Sequence, residues 1–233
     1  MPALSLQSVQ DIQQALANAA RAVDRPVAQL LAASKAQPPE ALRALAAQGQ
    51  RRFGENYVQE AMRKRAALDD LDLEWHLIGH LQSNKAEDAS RCFDWVQSID
   101  RIKLVGLLAR HRPEHATPLQ VLVQVNIDDE ASKHGCRPDD VATLAQAIAA
   151  QSRLRLRGLM AIPAPTPDLE QRRRAFRALK CLFDQLSAHY RQIDTLSMGM
   201  SGDYLQAVAE GATMVRIGSA LFGSRDRRPA HTS

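Results

Sequence analysis

An α/β barrel of eight parallel strands, a TIM-like (β/α)8 fold with one extra helix at its amino end, is what this sequence predicts, and three observations predict it. Eight short apolar segments alternate with helical stretches along the chain. Composition does not break anywhere, so a single barrel domain over residues 1–233 is expected. No Gly-x-Gly-x-x-Gly follows the first strand, which weakens the competing open, doubly wound sheet. Strands joined through helices pair in parallel, and eight such units in a chain of about 230 residues favour closure into a barrel.

The elements follow in order. Residues 9–23 place Ile12, Ala15, Leu16 and Ala19 on one helical face and form the leading helix. The first strand, residues 27–34, is apolar up to Ser34 and Lys35. Pro38 and Pro39 end it, and Pro39 suits the first turn of a helix at 40–48 that Gly49 closes. The unit then repeats as strand 51–56 with helix 57–68, strand 75–80 with helix 84–91, and strand 93–100 with helix 101–111. Strand 118–127 is the clearest, being rich in valine and leucine, and helix 138–151 follows it. Strand 155–162 leads to the long helix 168–190, strand 193–199 to the short helix 203–210, and strand 212–218 completes the ring.

With 45% hydrophobic and 24% charged residues the composition is that of a globular protein. No apolar run approaches the roughly eighteen residues needed to span a bilayer, and the amino terminus lacks the features of a secretory signal. A cytoplasmic location without membrane contact is therefore expected. Cys92, Cys136 and Cys181 are odd in number and widely spaced, which suits free thiols in a reducing compartment. The net charge of +4 comes largely from arginine. Its clusters at 172–174 and 225–228 are short, lack aromatics and lie beside acids, so they read as solvated faces and no nucleic-acid partner is expected. His76 and His80, like His111 and His115, stand four apart with no third ligand at a meaningful spacing, so no metal is expected.

In such barrels the chemistry lies at the carboxyl ends of the strands. Here those ends carry Ser34-Lys35, Gly54-Glu55-Asn56, Gly79-His80, Ser98-Ile99-Asp100, Asn126, Met160, Ser197 to Ser201 and Arg216 to Ser219. Lys35 ends an almost wholly apolar strand. An amine there is desolvated, and an imine with an aldehyde is one favourable use for it; a stem laid along the rim with its charge in water is the other. Barrels commonly bind phosphate between the seventh and eighth loops, and Ser201, Gly202, Gly218 and Ser219 suit that task, although Ser201-Gly202-Asp203 also suits capping of the next helix. Period-two alternation puts Arg216 on the side of Met214 and Gly218, toward the interior, where it needs an acceptor: a ligand nitrogen, or an acid such as Glu55 or Asp100. Asn56 suits either a ring hydroxyl or an N-cap. Met160, Met198 and Met200 read as packing.

Seven stretches together resemble the pyridoxal phosphate homeostasis protein family, which is related to the amino-terminal barrel of alanine racemase. They are Leu31 to Lys35, Phe53 to Glu60, Trp75 to Lys85, Ser98 to Asp100, Arg157 to Pro163, Leu196 to Ser201 and Val215 to Gly223, in family order. The resemblance implies pyridoxal 5′-phosphate as cofactor, with Lys35 as the Schiff-base lysine. It implies the loops at Met200-Ser201 and Gly218-Ser219 around the phosphate, Arg216 facing the pyridine nitrogen, and Asn56, Ile78 and Met160 lining the ring pocket. Gln37 stands where the family often has a second lysine, which removes a relay by that neighbour and leaves the imine intact. Lys133 matches a family lysine proposed as a secondary or transfer contact; a solvated loop charge is the other reading.

Two functions compete. One is cofactor storage and delivery without turnover, with apo-forms of pyridoxal phosphate enzymes as partners. The other is amino-acid racemisation. Racemisation in the related fold needs a lysine and, from a second domain, a tyrosine on the opposite face of the substrate. Soon after the eighth strand the sequence ends in Arg-Asp-Arg-Arg-Pro-Ala-His-Thr-Ser, so no such domain is expected, and Tyr57, Tyr190 and Tyr204 fall in or beside helices. An arginine at the ring nitrogen also discourages carbanion chemistry. The expectation is a binding protein with no catalytic residues, and a monomer in the absence of a dimerising domain.

Overall fold

The computed structural model describes residues 7–128, 134–164 and 166–223. Eight strands, β1 (Gln29–Ala33), β2 (Arg52–Glu55), β3 (Glu74–Leu77), β4 (Trp95–Ile99), β5 (Leu119–Gln124), β6 (Leu154–Met160), β7 (Thr195–Met200) and β8 (Met214–Ile217), pair in chain order as a closed parallel barrel. Closure is made by β8 on β1, from Gln29 opposite Met214 to Ala32 opposite Ile217. Every strand expected from the sequence is present, most of them shortened where their ends pass into loops. Three reach one residue past the expected bounds at one end: β3 begins at Glu74, β6 begins at Leu154 and β7 takes in Met200. The expected fifth strand stops at Gln124, and Val125 makes an isolated bridge to Cys136.

The leading helix α1 (Val9–Ala22) starts with a capping box in which Ser8 and Asp11 bond each other's backbone N–H. The outer helices are α2 (Pro39–Ala47), α3 (Val58–Ala67), α4 (Ala86–Cys92), α5 (Ile102–His111), α6 (Val141–Ala149), α7 (Leu169–His189) and α8 (Tyr204–Ala209). A four-residue helix α9 (Ser219–Phe222) follows β8 and had no clear signal in the sequence. Pro39 occupies the first turn of α2 as expected, and Asp168 caps α7 by accepting from the N–H groups of Glu170 and Gln171.

Alternation along the strands separates two layers. Leu30, Ala32, Phe53, Leu77, Val96, Val121, Val123, Leu159 and Val215 face outward and pack on Leu42, Val58, Leu104 and Phe176 from the helices in the main core. Inside the barrel lie two smaller apolar clusters, one of Leu31, Ile78 and Met214, the other of Trp95, Leu122 and Met160. Between β7 and β8 the register shifts between Ser197 and Met200. Gly199 sits in that irregularity with φ +91°, and a Cβ there would stand 2.5 Å from the Ala207 methyl of α8. Only glycine allows both that backbone conformation and that approach of strand to helix.

Candidate functional site

Lys35 leaves β1 in the phase of the inward-facing Leu31 and is half-buried, with Nζ 5.2 Å from the centre of the Tyr57 ring. The residues on either side of it are clamped. Lys64 of α3, almost wholly buried, donates at 2.7 Å to the Ser34 carbonyl, to Glu55 Oε1 and to Glu60 Oε1. The Ser34 hydroxyl donates to the same Glu55 oxygen at 2.6 Å, and the Ala36 N–H donates to Glu60 Oε1 at 2.6 Å. Ala36 has φ +62°, so this turn is fastened in a conformation that an alanine seldom adopts. Burial pushes the Glu55 carboxyl up from its ordinary pKa, against the opposing pull of its bonds to Lys64 and Ser34.

Arg216 lies inside the barrel, 3% exposed, and its partners are neither Glu55 nor Asp100. It donates to Ser197 Oγ and to the Ala161 carbonyl, both at 2.7 Å. The Ser197 hydroxyl donates to Gln97 Oε1 at 2.7 Å, and Gln97 Nε2 contacts His76 Nδ1 at 2.9 Å. His76 Nε2 meets Glu74 Oε1 at 2.8 Å. Arginine only donates and an ionised carboxylate only accepts, so the chain has one consistent polarity. It runs from Arg216 through Ser197, Gln97 and His76 to Glu74, and it puts the His76 proton on Nε2. Burial holds His76 below its ordinary pKa and pushes the Arg216 guanidinium down to about 10.

At the seventh and eighth strand ends, Ser201 Oγ accepts from the N–H groups of Gly218 (3.2 Å) and Ala220 (3.4 Å). Ser201 thus ties the two loops together at the start of α9. It does not cap α8: Asp203 occupies that N-cap position and turns its carboxylate back onto the Met200 N–H at 2.6 Å. Met200 pairs in register with Arg216 and stands half-exposed on the rim. Asn56 makes no side-chain cap to α3, whose N-cap is Tyr57. Its backbone lies so close to Gly79 that a Cβ on Gly79 would fall 2.2 Å from the Asn56 carbonyl oxygen. Ile78 packs inside the barrel against Leu31 and Met214, and Met160, opposite Ser197 in register, packs with Trp95 and Leu122.

Lys35, Asn56, Ile78, Met160, Met200, Ser201, Arg216, Gly218 and Ser219 therefore occupy the carboxyl ends of β6, β7, β8, β1, β2 and β3, an unbroken arc of neighbours. Lys133 lies outside the described residues. Known proteins match the chain over nearly its whole length. The family described as "Alanine racemase, N-terminal domain" matches residues 8–226. Pyridoxal phosphate homeostasis proteins of Pseudomonas aeruginosa and Escherichia coli are 51% and 48% identical to this chain, covering 84% of it and 84% and 86% of their own lengths. The chain belongs to the pyridoxal phosphate homeostasis protein family.

Among solved structures, PipY of Synechococcus elongatus PCC7942 is 39% identical with a TM-score of 0.82, covering 91% of this chain and all of that one. PipY has also been solved with PLP bound. Alanine racemase of Clostridium difficile, at 14% identity and TM-score 0.71, shares the fold; the match covers 97% of this chain and 59% of that one.

The residues of this family member fit such a cofactor on their own chemistry. Arg216 is a buried guanidinium whose described hydrogen bonds go to a hydroxyl and a carbonyl, leaving donor capacity for a neutral acceptor. The Gly218 and Ala220 N–H groups converge where an anionic oxygen is favoured. A surface hollow of about 670 Å³ lies instead at the amino ends of the strands, and two of its arginines are paired, Arg52 with Glu74 and Arg157 with Asp194. The sequence did not disclose the parts of Lys64 and Glu60. Their four-residue spacing signals a helix-surface ion pair, whereas Glu55 and Ser34 join them only through the fold.

Proposed function

We propose that this chain binds pyridoxal 5′-phosphate at the carboxyl face of its barrel and stores and delivers it, without sustained turnover. The observation that carries the reading is the pairing of β1 with β8. It sets Arg216 level with Leu31 and so brings the interior arginine and the loop of Lys35 to one mouth. When bound, the cofactor supplies an aldehyde that condenses with a primary amine. The Lys64 clamp holds Lys35 at the rim to offer that amine. Ser201, Gly218 and Ser219 receive the phosphate on hydroxyl and N–H donors, while Asn56, Ile78 and Met160 line the ring. Arg216, still protonated at neutral pH, presents a donor to the ring nitrogen and keeps a proton from it, which makes the ring a poor electron sink.

That choice favours holding over catalysis. Tyr57 stands beside Lys35 and does not face it across the site, and Tyr204 is buried in α8, so neither supplies a base opposite the lysine. The names of the relatives support a homeostatic role. Apo-forms of pyridoxal phosphate enzymes are the proposed recipients, the cytoplasm the proposed compartment and a monomer the proposed state. No helix of the described residues is long and apolar enough to cross a membrane.

Borohydride treatment of cofactor-loaded protein, followed by peptide mass analysis, is expected to place one adduct on Lys35, and the Lys35→Ala variant is expected to carry none. An adduct on other lysines alone would overturn the site. Chiral analysis after incubation with single L-amino acids tests the function separately, and sustained formation of the D-enantiomer would replace storage with racemisation.

A further inference from the structure

Next to this mouth, three consecutive strand ends each deliver a metal-ligand side chain to the rim: His80 after β3, Asp100 after β4 and His134 in the loop after β5. One ligand atom of each lies within 4.8 Å of the other two. Sequence spacing gives no hint of this, because the three are brought together by the parallel pairing of β3, β4 and β5.

One distance within the group is already that of two ligands sharing an ion. His80 Nδ1 and Asp100 Oδ2 are 3.4 Å apart. That is long for a hydrogen bond, whose usual length is about 2.9 Å. It matches the separation, about 3.3 Å, of two atoms that each lie about 2.0–2.1 Å from one tetrahedral ion. The His80 and His134 rings are stacked with centres 3.8 Å apart. For both to coordinate, one ring turns about its Cβ–Cγ bond, a torsion with broad wells in histidine. Both side chains have room on the rim to do so, His80 being 30% exposed.

The surroundings prepare the ligands. Asp100 Oδ1 accepts from Arg101 Nη1 at 2.6 Å, and Arg101 Nη2 is anchored on the Leu81 carbonyl at 2.8 Å. The carboxylate is thereby oriented from behind, as ligating carboxylates commonly are, with Oδ2 left toward the histidines. A hollow of about 380 Å³, lined by His80 and His134 together with Asn56, Tyr57 and Gly79, leaves space for further ligands.

We propose that His80, Asp100 and His134 form a binding site for a divalent transition-metal ion of the zinc type, open at its remaining positions and neighbouring the Asn56 side of the cofactor mouth. Two imidazoles and one carboxylate suit such borderline ions and are poor ligands for magnesium or calcium, which prefer all-oxygen shells. With Arg101 sharing the carboxylate, the affinity is below that of a closed structural zinc site.

The test uses the full chain, stripped of metal and titrated with zinc chloride against a chromophoric chelator. One zinc per chain is expected, and His80→Asn and His134→Asn are each expected to weaken it by at least about tenfold. Both residues lie on the rim, so thermal melts of these variants are expected to match the parent. A serine replacement of Cys92, Cys136 and Cys181 is expected to keep the ion, since thiols are the competing ligands in this chain. Lys35→Ala is expected to keep it too, which separates this site from the cofactor reading. Cobalt(II) bound to the parent is expected to show visible absorption that the histidine variants lose. Zinc affinity unchanged in both histidine variants, or lost with the cysteines, would overturn the site.

Discussion

Glu55 takes two donors, Ser34 and Lys64, on one oxygen, and its Oε2 is buried without a hydrogen-bond partner among the described residues. A carboxylate so placed depends on the Lys64 charge. Removing one member of a buried ion pair costs far more than the pair itself contributes, about 3 kcal/mol or more, because the survivor is left uncompensated. Lys64→Met keeps the apolar stem and removes the ammonium. It is expected to lower stability by about 3 kcal/mol in urea unfolding. It is also expected to slow borohydride labelling at Lys35, since Ser34 and Ala36 lose their shared anchor. Labelling at the parent rate would mean that Glu55 and Glu60 hold the turn without the lysine. At this scale the sequence was legible where a residue's position in a strand announced it, as with Lys35 and Arg216. It was silent on Lys64, whose helix shows an ordinary surface pair at four-residue spacing while the fold turns that pair into the floor of the Lys35 loop.

Along the strands, the chain from Arg216 to Glu74 spans the barrel from the carboxyl end of β8 to the amino end of β3, and His76 is its titratable link. Its folded pKa lies below the unfolded value near 6.5 because burial outweighs the help of Glu74. Above that value both states are neutral and the contribution to stability is complete. Below it the unfolded chain takes up a proton that the folded one refuses, so stability falls as pH drops from about 6.5 toward the folded pKa. His76→Gln has no such proton to refuse. Urea midpoints measured from pH 7.5 to 5 are expected to fall less steeply for His76→Gln than for the parent; identical slopes would assign the acid limb to other groups, His80 among them. Alternation placed Arg216 inward from the sequence alone, and the structure agrees. It could not name the acceptors, because Ser197, Gln97 and His76 come from three other strands, and the pairings of two of them shift register, as beside Gly199.

For the molecule as a whole, the alternation of strand and helix was enough to read the barrel, since each unit announces itself locally and the ring is their sum. What escaped was α9 and where the leading helix docks. Helix α1 packs on α8, the Gln7 N–H donates to the Ala220 carbonyl at 2.8 Å, and the Val9 N–H reaches Gln48 Oε1 after α2. It therefore braces the ring where β8 meets β1, behind both loops that Ser201 joins. Val9, Ile12, Leu16 and Ala20 bury the face that does this. Leu16→Ala opens a cavity there, and such changes cost about 2–5 kcal/mol against a total of about 5–15 kcal/mol for a domain. A lower urea midpoint is expected, together with faster amide exchange at Gly218 and Ala220 under native conditions. Exchange at those two amides is the discriminating measurement. If it stays slow while the midpoint falls, α1 stabilises the barrel globally and its contact with α8 and α9 has no part in ordering the phosphate-suited loops. If it quickens ahead of the barrel strands, the amino-terminal helix is part of the structure that holds the cofactor mouth in shape.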